Sequence, residues 1–205
     1  MSRRTLVIDS ATEACSVALI EDGRCVAGDW RVLGRGHAEQ LVPMIAALPD
    51  KGRADRIAVS LGPGSFTGVR VGLAAARALA LAWQADLVGY PTLALVAAMA
   101  RDEAGDVPVD VAMTGGHGEW FVASFDDEGT ETHALHSLPP AEAASQPGAA
   151  LVAGSQAEAL VERRGRGTAL SLLPDARRFP LLPHAALTSE AAPLYGRGPD
   201  AKLPA

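Results

Sequence analysis

Few side chains in this sequence stand at spacings that support chemistry, and the densest candidate is the run Gly62-Pro63-Gly64-Ser65-Phe66-Thr67-Gly68-Val69-Arg70. Gly62, Gly64 and Gly68 permit backbone angles closed to other residues and the close approach of a ligand or a second chain. Ser65 or Thr67 can cap a following helix by accepting a hydrogen bond from a free N–H, and a strand–loop–helix with free N–H groups can hold an anion. The familiar phosphate loops do not fit. No Gly-Lys-Ser/Thr follows, as a Walker A loop requires, and the last glycine of a dinucleotide fingerprint would fall on Thr67. Nor does Gly64-Ser65-Phe66-Thr67-Gly68 match the Gly-x-Ser-x-Gly elbow of a hydrolase, because its serine stands second.

The remaining candidates are histidines and cysteines. His37 is followed one helical turn later by Leu41, and a lone imidazole is a poor metal ligand. His117 has no spacing that would join it to His37, and His133 and His136 are expected on opposite sides of a strand. Cys15 and Cys25 would not lie opposite one another in a hairpin turning at Asp22-Gly23, so they read as small buried hydrophobes rather than a disulfide.

Three strand-like runs, Thr5–Ser10, Cys15–Glu21 and Arg24–Trp30, open the chain as a meander with a strong Asp-Gly hairpin signal. A helical pattern follows from Gly36 to Leu48, with Leu41, Met44, Ile45 and Leu48 at helix spacing and Pro43 expected to kink it. The strand Arg56–Leu61 then leads through the glycine-rich loop into an Ala-rich helix, Val69–Trp83. A strand at Asp86–Tyr90 and a helix at Thr92–Asp102 complete a βββαβαβα order, which fits a ribonuclease-H-like α/β unit. After the linker Gly105–Pro108, strands at Val109–Thr114, Glu119–Phe125, Thr130–His136 and Ala150–Ala153 and short helices at Pro139–Ser145 and Ser155–Arg164 begin a second such unit. The expected fold is thus α/β, with two ribonuclease-H-like units of the actin-like (ASKHA) kind and mixed sheets flanked by helices. The expected domains are 1-104 and 105-205, the second ending in a proline-rich crossover and tail.

A hydrophobic fraction of 48% over 205 residues is enough for a sizeable core. Lys plus Arg number 18 against 24 Asp plus Glu, a formal charge of −6, with no basic cluster longer than two residues. Such a chain is unsuited to neutralising RNA phosphates unaided. No uninterrupted apolar stretch approaches the ~18 residues that span a bilayer, and the N-terminus shows no secretory signal, so a cytoplasmic protein without a membrane anchor is expected.

The run Gly62-Pro63-Gly64-Ser65-Phe66-Thr67-Gly68-Val69-Arg70-Val71-Gly72 resembles the signature of the TsaB (YeaZ) family almost letter for letter. Ile8–Ala18 is similar to that family's opening strand and turn, Arg35–Pro43 to its first helix, and Pro193–Arg197 with Pro199–Lys202 to its ending. The resemblance is dense over residues 5–100 and thin over 101–190. It implies a two-lobed actin-like scaffold without chemistry or cofactor of its own, a non-catalytic subunit that binds and activates the related catalytic subunit TsaD. Together with the ATPase TsaE, these proteins transfer a threonylcarbamoyl group from its adenylate to N6 of the adenosine beside the anticodon. The tRNA would then be met only through the complex.

The resemblance also frames the departures. The catalytic relative carries a His-x-x-x-His metal pair on its first helix, and Leu41 removes half of it here. Asp9 and Thr12 stand where actin-like ATPases present a phosphate loop and form at most a relic of one. Thr114-Gly115-Gly116-His117 replaces a loop that more often reads Asp-Ala-Arg. The family implies that the first two helices supply the pairing surface. A stripe of Arg70, Ala74, Arg77, Leu81 and Gln84, joined by His37, Gln40, Leu41 and Met44, is the expected partner interface, while Gly72, Ala76 and Ala80 suit packing on the chain's own sheet. The same face would serve a homodimer of the isolated protein. Two alternatives are a glycoprotease-like metallopeptidase and a small-molecule kinase of the actin-like group. The first lacks a visible metal pair or triad, and the second rests on fold analogy alone.

Overall fold

The computed structural model describes residues 4–196. The expected features at Met1–Arg3, Arg197 and Pro199–Lys202 lie outside the described residues. The chain forms two five-stranded sheets in related orders. In the first, β1 (Arg4–Asp9) pairs antiparallel with β2 (Ala14–Glu21), which pairs antiparallel with β3 (Arg24–Val32). On the other side of β1 lie β4 (Arg56–Ser60) and β5 (Asp86–Tyr90), both parallel to it. The second sheet repeats this plan with β6 (Val109–Thr114), β7 (Trp120–Phe125), β8 (Glu131–Leu138), β9 (Leu151–Ala153) and β10 (Thr168–Leu170), in the order β10-β9-β6-β7-β8. The structure thus has the two ribonuclease-H-like units of mixed sheet and flanking helices that the element order implied.

Alternation along β1 sorts the core. Leu6 and Ile8 face α1 (His37–Ala47) and α2 (Phe66–Trp83), meeting Leu41, Met44, Ile45, Val69, Leu73 and Ala76 in one cluster. Val7 faces the opposite side and joins Leu95 and Met99 of α3 (Thr92–Ala104). The other side of α3, through Leu93, Val96 and Ala100, packs on Val109, Val111 and Ala123 of the second sheet. This helix is therefore apolar on two faces and glues the sheets together. The far face of the second sheet is covered by α4 (Pro140–Ser145) and α5 (Ala157–Arg164).

Three features differ from the sequence reading. Helix α2 begins at Phe66, three residues earlier than expected, because Ser65 Oγ accepts from the Gly68 N–H and caps it there. Helix α1 runs from His37 to Ala47 through Pro43, whose ring stands on the solvent side. The chain beyond β10 returns to the first sheet: the 3-10 turn Ala176–Leu181 packs on β2 and β3, with the Ala176 N–H donating to Ser16 Oγ at 2.9 Å. Cys15 is buried and Cys25 exposed, opposite Arg31 and Ile20 respectively, so only Cys15 acts as the expected small core residue.

Candidate functional site

The glycine-rich loop is closed against the turn that follows β1. The Ser65 N–H donates to the Ala11 carbonyl at 2.6 Å, and Ser10 Oγ donates to the Gly68 carbonyl at 2.9 Å. A Cβ on Gly64 would fall far inside 3.0 Å of the Ala11 oxygen, and one on Gly68 would do the same at the Ser10 oxygen. The close approach these glycines allow is therefore made by the chain's own turn. Gly62 occupies the left-handed region with φ 88°. Thr67 is exposed in the first turn of α2 and leaves the capping to Ser65.

Asp9, expected with Thr12 to be at most a relic of a phosphate loop, is turned into the core. Asp9 is 1% exposed, its Oδ1 accepting from the Ala11 N–H at 3.1 Å and its Oδ2 from the Tyr90 hydroxyl at 3.1 Å. A carboxylate so enclosed cannot reach a phosphate or its metal. Thr12 lines the cleft between the lobes, but its Oγ1 accepts from the Ala14 N–H. Burial raises the Asp9 pKa to about 6, against the lowering pull of the Ala11, Tyr90 and Ser60 hydrogen bonds. The protonated form is thus favoured in the fold. This contribution to stability is fully present below the unfolded value near 3.8 and is lost as pH rises through 6. Asn at position 9 keeps the acceptor for Ala11 and removes the charge. The stability difference between Asp9→Asn and wild type, measured by urea unfolding, should therefore favour the variant by about 2 kcal/mol more at pH 7.5 than at pH 4.5. A difference independent of pH would contradict this assignment.

His37 is also turned inward. Its Nε2 lies 2.8 Å from the Thr12 carbonyl oxygen, tying the start of α1 to the same turn. Leu41, in the place of a second imidazole, is fully buried in the core. Across the cleft, which encloses about 900 Å³, Gly115, Gly116 and His117 face the β1–β2 turn. Thr114 is tied within its own lobe, its Oγ1 accepting from Gln156 Nε2 at 2.8 Å and lying 3.1 Å from Ser155 Oγ. Among the described residues no group of three or more His, Cys, Asp or Glu side chains, His117 included, is placed to hold a metal ion. The expectation for His133 and His136 is corrected. A bulge sets three residue steps of β8 against two of β7, and both imidazoles line one groove in the second lobe.

The exposed face of α2 is the most unusual surface of the molecule. The helix buries Gly68, Val69, Gly72, Leu73 and Ala76 on its sheet, leaving Phe66, Arg70, Ala74, Arg77, Ala78 and Leu81 outside. Leu81 is 83% exposed and Phe66 68%. By length and composition alone α2 could cross a membrane, yet its inner face packs on β4 and its outer face carries two arginines. The expected contribution of α1 is corrected: His37, Leu41 and Met44 are buried beneath the helix, and Gln40 is half-buried. A residue that fills the core cannot also meet a partner. The exposed positions of α1 are Ala38, Glu39, Val42, Pro43, Ala46 and Ala47, with Val42 60% exposed. Sequence reasoning missed Phe66, whose ring lies 3.1 Å from the Arg70 guanidinium, and Tyr195, whose hydroxyl accepts from Arg70 at 2.8 Å. An aromatic residue inside a glycine-rich loop was the available signal for the first.

Comparison with known proteins agrees with this geometry. A family model described as "TsaD: tRNA N6-adenosine threonylcarbamoyltransferase" matches residues 31–171. The tRNA threonylcarbamoyladenosine biosynthesis protein TsaB of Escherichia coli K12 is 38% identical over 143 residues, 64% of this chain and 62% of that protein. A tRNA N6-adenosine threonylcarbamoyltransferase of Anaeromyxobacter sp. Fw109-5 is 33% identical over 144 residues, 58% of this chain and 43% of the enzyme. The chain thus matches less than two thirds of the length of either curated relative. The structure of YeaZ from Pseudomonas aeruginosa superposes with a TM-score of 0.79 at 32% identity, covering 94% of this chain and 99% of that one.

Proposed function

Because this chain belongs to the TsaB (YeaZ) family, we propose that it is the non-catalytic scaffold subunit of the tRNA N6-threonylcarbamoyladenosine synthase, pairing with a TsaD-type catalytic subunit. The observation that carries the reading is the outer face of α2, where, among the described residues, Phe66, Ala74, Ala78 and Leu81, the last at 83% exposure, stand exposed beside Arg70 and Arg77. Ala38, Val42 and Ala46 of α1 extend it, since the two helices pack side by side on one sheet. Small residues let a second helix pair approach closely, and an exposed apolar stripe of this kind marks an interface. A second copy of the chain would use the same face when the catalytic subunit is absent.

Two further features support a scaffold. Asp9, at the place of an actin-like phosphate loop, is taken up internally by Tyr90 and Ala11, and His37, at the place of one half of a metal pair, by Thr12. The charge of −6 leaves tRNA to be held by the partner. A TsaE-like ATPase joins the larger complex in this reading, in the cytoplasm.

Ala74 lies in the middle of the stripe and is exposed. Ala74→Glu should leave the isolated chain within about 0.5 kcal/mol of wild type. It should weaken co-purification with the TsaD-type subunit at least tenfold, since a long side chain would stand where a second helix must come close, and its carboxylate would take up Arg70 or Arg77 within the same helix. Recovery of an intact complex with the variant would remove α2 from the interface.

A further inference from the structure

The chain after the second sheet does more than return to the first. Thr188 pairs with Gly89 at the open edge of β5, each N–H donating to the other's carbonyl at 2.8 and 3.0 Å. The Leu194 N–H donates to the Leu61 carbonyl at 2.8 Å. At its far end the Gly196 carbonyl accepts from the Ser137 N–H of β8, in the second lobe, at 3.0 Å. Between these anchors, the Ala191 carbonyl accepts from Arg77 Nη2 at 2.6 Å and the Tyr195 hydroxyl from Arg70 Nη2 at 2.8 Å.

We propose that residues 188–196 form a strap that pre-orders Arg70 and Arg77 for acidic side chains of the partner, coupling the pairing face of α2 to the junction between the lobes. The proposal rests on the pairing reading above and names how that face is organised. Both acceptors on the strap are neutral, and a guanidinium has five N–H donors. Arg77 gives one nitrogen to the strap, and Arg70 gives one to the strap and another to the Phe66 carbonyl at 3.3 Å. Each side chain therefore keeps donors for a second acceptor on the exposed face. Among the described residues neither meets a carboxylate, whereas Arg4, Arg31, Arg101, Arg164, Arg177 and Arg178 all do.

A planar guanidinium held in one orientation and lacking an anion is matched best by a carboxylate, whose two oxygens take parallel N–H donors. Free arginines lose rotamer freedom when they bind, and the strap has already fixed these two. Pairing should therefore be tighter with the strap seated. By reciprocity, pairing should hold the strap, and with it the contact between Gly196 and β8, more firmly.

The test uses the full-length chain, with substitutions confined to the strap. Leu194→Pro removes the N–H given to Leu61, and Tyr195→Phe removes the oxygen that Arg70 binds. The double variant should pair with the TsaD-type subunit about tenfold more weakly by titration calorimetry, and Tyr195→Phe alone about threefold. In the wild type, hydrogen exchange of the Gly89 and Ser137 amides, whose bonds go to the strap, should slow several-fold when the subunit is added. Unchanged affinity in both variants, tighter pairing in either, or exchange at Gly89 and Ser137 indifferent to the subunit would overturn the strap's role while leaving the pairing reading intact. If the wild type does not bind the subunit at all, the pairing reading fails and the strap proposal with it.

Discussion

Gly64→Ala should unfold the protein or cost it more than about 4 kcal/mol, measured by urea or thermal unfolding. The new Cβ would stand 2.7 Å from the Ala11 carbonyl carbon and closer still to its oxygen. Both obstacles are backbone, so no side chain can swing aside. Moving the loop away breaks the 2.6 Å hydrogen bond from the Ser65 N–H to Ala11 and tilts the start of α2, which Ser65 caps. Gly116→Ala is the control, because a Cβ there meets nothing within 4 Å. That variant should stay within about 1 kcal/mol of wild type. Equal stability of the two variants would show that the loop is not seated on the β1–β2 turn.

Arg164→Ala should cost about 3–5 kcal/mol. Asp110 of β6 and Arg164, the last residue of α5, form an ion pair at 2.6 Å in the second lobe, with each side chain 6% exposed. Asp110 also accepts from Ser124 Oγ at 2.8 Å. Removing the guanidinium leaves a buried carboxylate with a single hydroxyl donor, which cannot compensate for the lost pair. Adding Asp110→Ala to the arginine variant removes that stranded charge and should restore part of the stability rather than subtract more. A second loss as large as the first, in a double-mutant cycle by chemical unfolding, would contradict a buried pair as the cause.

The elements were legible in the sequence where a local signal was strong. The continuous apolar runs of β1 and β2, the Asp22-Gly23 turn and the apolar spacing of α1 all act within a few residues, and the structure follows them. The exposed stripe Arg70, Ala74, Arg77 and Leu81 was legible for the same reason, since a single helix fixes which positions share a face. Features set by distant contacts were not. Leu41 and Met44, expected on the partner face, lie in the core, and only the position of α2 beside α1 decides this. The burial of Asp9 depends on Tyr90, and the joint placement of His133 and His136 depends on an extra residue in β8 that pairing alone reveals. Strand β10 is three residues long, too short for its alternation to register, and the strap binds through backbone groups that no residue pattern announces.

The glycine-rich loop, the inward-turned Asp9 and His37 and the exposed face of α2 fit the proposed account, an actin-like fold that holds two helices for a partner. Its central claim is participation in threonylcarbamoyladenosine synthesis, and the direct measurement is the content of that nucleoside in bulk tRNA, by mass spectrometry, after depletion of this protein in its source organism. The account predicts that most of the modified adenosine disappears, returns when the wild-type chain is resupplied and does not return with Ala74→Glu. Unchanged levels after depletion would contradict it.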